Sequence, residues 1–205
     1  GTGLLIKQGA GNLTLSGNNT NSGGITVAGG TLTLGSNTAA GTGSITTTGS
    51  VIAYANGVNI ANPIVINSDT TQLEVNGADS AEQSGVISES GGARTLEKIG
   101  TGTLTVSAAS TYTGTTTITA GTLNVTGSLA STALVVQDGA ALQADGAAIL
   151  DAASVMLSGT GNLSLTGNER IGSLASASNT ATVALGANTL TTGDAGNTSF
   201  AGSIT

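Results

Sequence analysis

The chain has no cysteine, no histidine and no tryptophan, and one proline among 205 residues. Without cysteine there is no disulfide, no thiol nucleophile and no zinc–thiolate site. Without histidine the side chain most often used as a general base at neutral pH is missing too. Charged residues make up 7% of the chain and aromatics 1%, against roughly 25% charged in ordinary soluble domains. Only Lys7, Arg94, Lys98 and Arg170 are basic, and the net charge is −7. Nucleic-acid binding needs a stripe of cations that displaces counterions from phosphates, so that class is excluded. No apolar run approaches the roughly 18 residues of a membrane span, and no membrane insertion of this segment is expected. No basic stretch followed by an apolar one opens the chain, so no signal peptide is expected within it. The chain starts at Gly1 inside one patterned segment and stops at Thr205 inside another, as an excised piece of a longer polypeptide would.

What is abundant is glycine, with 33 residues, alongside 38% hydrophobic residues. Low charge with few apolar residues would indicate disorder. Here the apolar fraction is ample, so the chain can bury a core of Leu, Ile, Val and Ala. Short alternating triplets recur: Leu13-Thr14-Leu15, Ile25-Thr26-Val27, Leu32-Thr33-Leu34, Leu73-Glu74-Val75, Leu104-Thr105-Val106, Leu123-Asn124-Val125 and Leu163-Ser164-Leu165. Period two puts one set of side chains on each face of a strand. Gly-Asn, Gly-Gly and Ala-Gly pairs separate them as turns. No stretch sustains a capped helical pattern.

The chain also repeats itself. Residues 4–16 align on residues 95–107 with Lys7 on Lys98, 91 residues apart. The same offset matches Gly9 to Gly100, Gly11 to Gly102, Leu13 to Leu104 and Leu15 to Val106. Further on it matches Gly23 to Gly114, Val27 to Ile118, Gly30 to Gly121 and Leu32 to Leu123. Near the end the offset becomes 117, matching Leu73 to Leu190, Gly85 to Gly202 and Ile87 to Ile204, which predicts about one added turn near Arg170–Leu185. A solenoid tolerates such an insertion because each turn contacts only its neighbours. The expected organisation is one continuous β-helix over 1–205. Its internal units cover about 1–91 and 92–182, and 183–205 leads into a truncated third unit. The fold class is all-β, a single-stranded parallel β-helix of roughly eight to ten coils. At about 4.8 Å per coil that is a rod about 40–45 Å long.

The segments Leu4–Leu34 and Leu96–Val125 resemble the passenger-associated transport repeat of Gram-negative autotransporters. Lys7, Gly9, Gly11, Leu13, Leu15, Gly23, Val27, Gly30 and Leu32 fit its first copy. Lys98, Gly100, Gly102, Leu104, Val106, Tyr112, Gly114, Ile118, Gly121 and Leu123 fit its second. The first copy departs at Asn21, which stands where the second has Tyr112. The lead-in Leu190–Gly193 and the segment Phe200–Ile204 look like the start of a third. The resemblance implies a right-handed β-helix exported through an outer-membrane barrel of the same polypeptide and displayed on the cell surface. It also implies a part in passenger folding and transport. Such passengers serve in adhesion, aggregation, biofilm formation and virulence. The implied partners are that covalently linked barrel, and then either a second copy or a host or bacterial surface receptor.

The candidate chemistry is sparse, and no catalytic, cofactor-binding or metal residue is assigned. Asp69, Glu74, Asp79, Glu82 and Glu89 form the densest acidic stretch, with Asp138, Asp145 and Asp151 a second. A polysaccharide-acting β-helix enzyme would gather such groups on one face. The spacing instead reads as turns on a solvated surface, and the chain is read as not an enzyme. Calcium-loop patterns are absent, which leaves only Asp138-Gly139 or Asp194 as places for an adventitious ion. Lys7 and Lys98 read as markers of a polar face with their stems over apolar neighbours, in preference to an anion site. Thr46-Thr47-Thr48 and Thr115-Thr116-Thr117 would lie in flat outward ranks, as on an ice-binding solenoid, or would simply be outward strand residues. Asn12-Leu13-Thr14 and Asn162-Leu163-Ser164 are glycosylation sequons that this composition produces by chance.

Overall fold

A computed structural model describes residues 1–193 and 196–205. Among these the chain is all strand and turn, with no helix. Every strand pairing is parallel, and the strands stack as a solenoid of about ten turns. Each turn passes through up to three faces. The first face runs Leu5–Lys7, Ile25–Val27, Ile45–Thr47, Ile64–Ile66 and Ile87–Glu89. The second has nine strands, from Asn12–Leu15 to Ser173–Ala175. The third has eight, from Asn59–Ile60 to Ser203–Ile204.

The first face is the irregular one. It continues as Ala109–Ser110 paired with Ser128–Leu129, and again as Glu169–Ile171 paired with Leu190–Thr192. The Thr111 amide donates to the Ile87 carbonyl and joins the first of these pieces to the main sheet. Turn length varies from 18 residues at Thr117↔Val135 to 25 at Gln72↔Glu97. With ten levels at about 4.8 Å the rod is roughly 43 Å long.

Alternation places two inward columns behind each of the two long faces. On the second face Leu13, Leu32, Ile52, Leu73, Lys98, Ile118, Val136 and Leu157 stack in register. On the third, Ala81, Leu104, Leu123, Leu142, Leu163 and Val183 do the same. β-Branched and leucine side chains suit these columns because like shapes repeat every coil. The interior holds two rings, Tyr54 and Tyr112, and Tyr112 is among the largest fully buried side chains.

The repeat and the coil are out of phase. Four turns carry Lys7 through Val27, Thr47 and Ile66 to Glu89, and nine more residues bring the chain to Lys98 on the next face. The first repeat copy therefore occupies the first and second faces, and the second copy occupies the second and third. The 117-residue offset moves on by a further face, from Leu73 on the second face to Leu190 on the first. The 26 extra residues thus amount to one turn and one face.

Candidate functional site

The two repeat lysines do not mark a polar face. Lys98 lies on the inward side of its strand, between Leu73 and Ile118, and is 1% exposed. Its ammonium donates to the carbonyls of Ile99 (2.9 Å), Gly100 (2.9 Å), Gly102 (3.0 Å) and Ala120 (3.2 Å). Lys7, also buried, donates to Gln8 (3.1 Å), Gly9 (2.8 Å) and Gly29 (2.8 Å). Each ammonium reaches the corner just ahead of it and the same corner one coil on. These carbonyls satisfy the charge from inside, so no donor is left for an anion. Burial pushes the Lys98 ammonium down to about 8, while Glu74 acts in the opposite direction.

Glycine closes the same corners. Gly30 and Gly121 both have φ +64°. A Cβ on either would press into the backbone of the coil before it, against Gly11 and Gly9 at one site and Gly102 and Thr101 at the other. Only glycine meets both demands, left-handed backbone and close approach.

The acidic residues are dispersed rather than gathered. Glu74 and Glu82 point outward from different faces. Asp69 sits at a corner, paired with Arg94 at 3.5 Å and accepting the Thr95 amide at 3.3 Å. Glu82 accepts Asn59 at 3.0 Å and the Ser107 hydroxyl at 2.5 Å. Glu89 accepts the Arg94 amide at 2.7 Å, the Thr113 amide at 3.0 Å and the Thr113 hydroxyl at 2.7 Å. Burial alone would raise the Glu89 carboxyl, but hydrogen bonds from Thr113, Arg94 and Gly114 outweigh it and hold the group below the usual carboxylate range. Asp138 accepts the amide (2.7 Å) and hydroxyl (2.9 Å) of Thr160, which likewise hold it low. Asp79 lies half-buried in a turn, and Asp145 is exposed. Among the described residues no group of three acidic, histidine or cysteine side chains could hold a metal. Asp194 lies outside the described residues.

Glu169 and Asp151 come nearest to a paired-acid arrangement, beside Arg170 in an open hollow of about 380 Å³. Glu169 is buried, and one carboxylate oxygen accepts the Ala148 amide at 2.9 Å and the Ile149 amide at 3.4 Å. Its other oxygen accepts the Arg170 amide at 3.2 Å. The side chain thus stands in for a missing strand pairing on the irregular face. Burial pushes its carboxyl up against those three amides. Asp151 and Arg170 form an exposed pair at 3.7 Å. A second open hollow of about 720 Å³ is apolar, lined by Met156, Leu157, Ala175 and Ala201 among others, with no titratable group.

The threonine triplets do not lie flat outward. Thr47 and Thr116 are fully buried, because each shares strand parity with an inward isoleucine, Ile45 or Ile118. Thr47 meets Thr71 at 3.4 Å. Thr116 links the Tyr112 hydroxyl (2.7 Å) to Ser131 (2.5 Å), which donates to the Gly114 carbonyl at 2.8 Å. A second interior network runs from the Tyr54 hydroxyl to Gln83 at 3.0 Å, and from Gln83 to the Asn62 (2.8 Å) and Gly85 (2.9 Å) carbonyls. The sequon asparagines are also engaged, Asn12 with Thr33 at 2.9 Å and Asn162 with Thr182 at 2.6 Å. No buried polar side-chain atom among the described residues lacks a partner.

Alongside contacts within a coil, one pattern recurs: a polar side chain reaches the coil above or below, roughly one turn away in sequence. This is a chemistry of cohesion, and its unit is a corner with two strands on either side, stacked over two coils. That unit coincides with the two stretches that recur. No curated protein and no solved structure matches the chain. Residues 5–34 and 96–125, each one lysine corner with its two pairs of stacked strands, match the family model of the passenger-associated-transport-repeat, consistent with an autotransporter passenger domain.

Proposed function

We propose that this chain is a non-catalytic structural segment of an autotransporter passenger, presented at the surface of a Gram-negative cell and joined to an outer-membrane barrel in the full polypeptide. The observation that carries the reading is the use of the polar groups. Lys7, Lys98, Glu82, Glu89, Asp138 and Glu169 are all consumed in binding coil to coil. An enzyme needs titratable groups free to face a substrate. A solenoid stitched in this way supports stepwise folding, each completed coil templating the next as chain emerges from a pore. The units about 1–91 and 92–182 are then two passes of one building rule.

Adhesion by self-association is the finer part of the proposal. The outward columns of the third face are rich in uncharged hydrogen-bonding groups: Thr105, Asn124, Gln143 and Ser164 in one, Thr103, Thr122, Asn162 and Thr182 in the other. Many weak contacts along such columns gain from multivalency. Sedimentation velocity across concentration at two salt concentrations tests this part. Reversible association lost on placing charges at Thr122 and Asn162 supports it, and a strict monomer at high concentration rejects it. Removing coils one at a time from the end tests the structural part: stability should fall by increments, and an all-or-none collapse on removing any single coil contradicts stepwise stacking.

A further inference from the structure

The corner between the second and third faces carries two Asn-Gly steps on consecutive coils, Asn56-Gly57 and Asn76-Gly77, all four residues exposed. In such a step the glycine nitrogen can attack the asparagine side-chain carbonyl carbon. The attack is intramolecular, and no glycine side chain obstructs it. A bond forms from the Gly nitrogen to Asn Cγ, and the side-chain nitrogen leaves as ammonia, taking up the proton that the glycine nitrogen gives up. Water then opens the five-membered imide at either carbonyl, leaving aspartate or isoaspartate. Water is the only co-reactant.

The neighbouring coil treats the two steps differently. At Asn56 the side-chain oxygen accepts the Ser80 amide at 3.0 Å, while the Gly57 amide donates to the Ser80 carbonyl at 2.7 Å. Both reacting groups are thus tied to one residue of the next coil, and attack requires both bonds to break. At Asn76 the corner is fastened through carbonyls instead. The Asn76 carbonyl accepts the Asp79 amide at 3.1 Å, and the Gly77 carbonyl accepts the Thr101 hydroxyl at 3.0 Å. Among the described residues the Asn76 side chain has no hydrogen-bond partner and the Gly77 amide no backbone acceptor. The side chain lies against Gly100, whose carbonyl takes the Lys98 ammonium.

We propose that Asn76 is a self-modifying site that converts to aspartate and isoaspartate through an imide shared with Gly77, and that stacking on Ser80 protects Asn56 from the same reaction. The folded protein is held in mildly alkaline buffer and sampled over days. Peptide mapping by mass spectrometry follows both steps, and isoaspartyl methyltransferase labelling identifies the isomerised product. Product at Asn76 should form about thirtyfold faster than at Asn56, as two hydrogen bonds of ordinary strength would dictate. In urea the two steps should react alike, and Asn76→Ser should abolish the faster signal. Equal rates in the folded protein overturn the proposal, as does an Asn76 that stays intact when folded but reacts once unfolded.

Discussion

Alanine at Gly121 and alanine at Gly139 make the same chemical change in the same kind of backbone, yet should cost different amounts. Both glycines have positive φ, +64° and +73°. Placing a side chain in that conformation costs about 1–2 kcal/mol by itself. At Gly139 a Cβ would meet nothing within 4 Å, so that is the whole penalty. At Gly121 the Cβ would lie 2.6 Å from the Thr101 carbonyl carbon and 2.7 Å from the Gly100 oxygen, with the Gly102 oxygen nearer still. These are backbone atoms and cannot rotate away. Relief requires the two coils to part at the corner where Lys98 binds Gly100, Gly102 and Ala120. Forcing a group into packed surroundings adds roughly 1–3 kcal/mol. The expected losses are therefore about 1 kcal/mol for Gly139→Ala and about 3 kcal/mol for Gly121→Ala. Urea unfolding followed by tyrosine fluorescence reads both, since Tyr54 and Tyr112 are buried. A constant slope against denaturant checks that the two variants share one denatured state. Native-state hydrogen exchange should localise the Gly121→Ala loss to residues 96–125. If the two variants fall within about 0.5 kcal/mol of each other, close coil approach is not what requires glycine at Gly121.

Three further outcomes follow from the interior. Lys98 has its pKa pushed down to about 8, so the unfolded chain binds more protons than the folded one between that value and the free-lysine range. The burial penalty is complete below the folded value and is relieved as pH rises, so stability should climb by about 2 kcal/mol between about pH 7.5 and 9.5. Lys98→Met should flatten that climb while lowering stability at pH 7 by about 2 kcal/mol, because several buried carbonyls lose their donor. A flat wild-type profile would refute this. Tyr112→Phe should cost about 1 kcal/mol through the loss of the hydroxyl bonded to Thr116, measured by the same urea unfolding. On the acid side, the lowered Glu89 and Asp138 carboxyls contribute stability above the usual carboxylate range that is lost as pH falls through their folded values, while the raised Glu169 works in the opposite sense. Asp138→Asn should therefore lose less of its stability on acidification than the wild type, and an unchanged acid limb in thermal unfolding would refute that.

The fold was legible because period-two alternation and a gap-free internal repeat survive in the sequence without any knowledge of contacts. The lysines and threonines run against what their residue types suggest, although the same alternation holds their answer. Lys98 has the parity of Leu96, Thr47 that of Ile45, and Thr116 that of Ile118. Residue type overrode parity, since lysine is almost never fully buried without partners. The partners are backbone carbonyls of a corner, which no side-chain pattern announces. Glu169 was illegible for a similar reason, because its acceptor role depends on where the first face loses a strand pairing. The shift of repeat against coil was also hidden: it emerges only once turn lengths of 18 to 25 residues are known.

That shift bears on what the repeat can be for. A binding motif carried on a rod would need its copies to face one direction, or to add up along one face. Here the two copies occupy different pairs of faces, and what they share points inward: the lysine, the glycine corner, and aliphatic positions such as Leu32 with Leu123 and Val27 with Ile118. Outward positions are divided, with Thr14, Thr26 and Thr31 matching Thr105, Thr117 and Thr122 and the others differing. Gln8 corresponds to Ile99, Ile6 to Glu97, Asn12 to Thr103 and Thr33 to Asn124. The repeated instruction is thus how to turn a corner and seat the next coil, and it works equally on any face. On the self-association proposed above, contact falls to the outward columns, where the repeat dictates some positions and not others. The sharpest separation of the two roles comes from exchanging outward residues of one copy for those of the other. Such an exchange should leave stability nearly unchanged while altering association, whereas exchanging the inward residues that differ, Ile25 with Thr116 and Asn21 with Tyr112, should lower stability by breaking the buried Tyr112–Thr116–Ser131 hydrogen bonds and leave association unchanged.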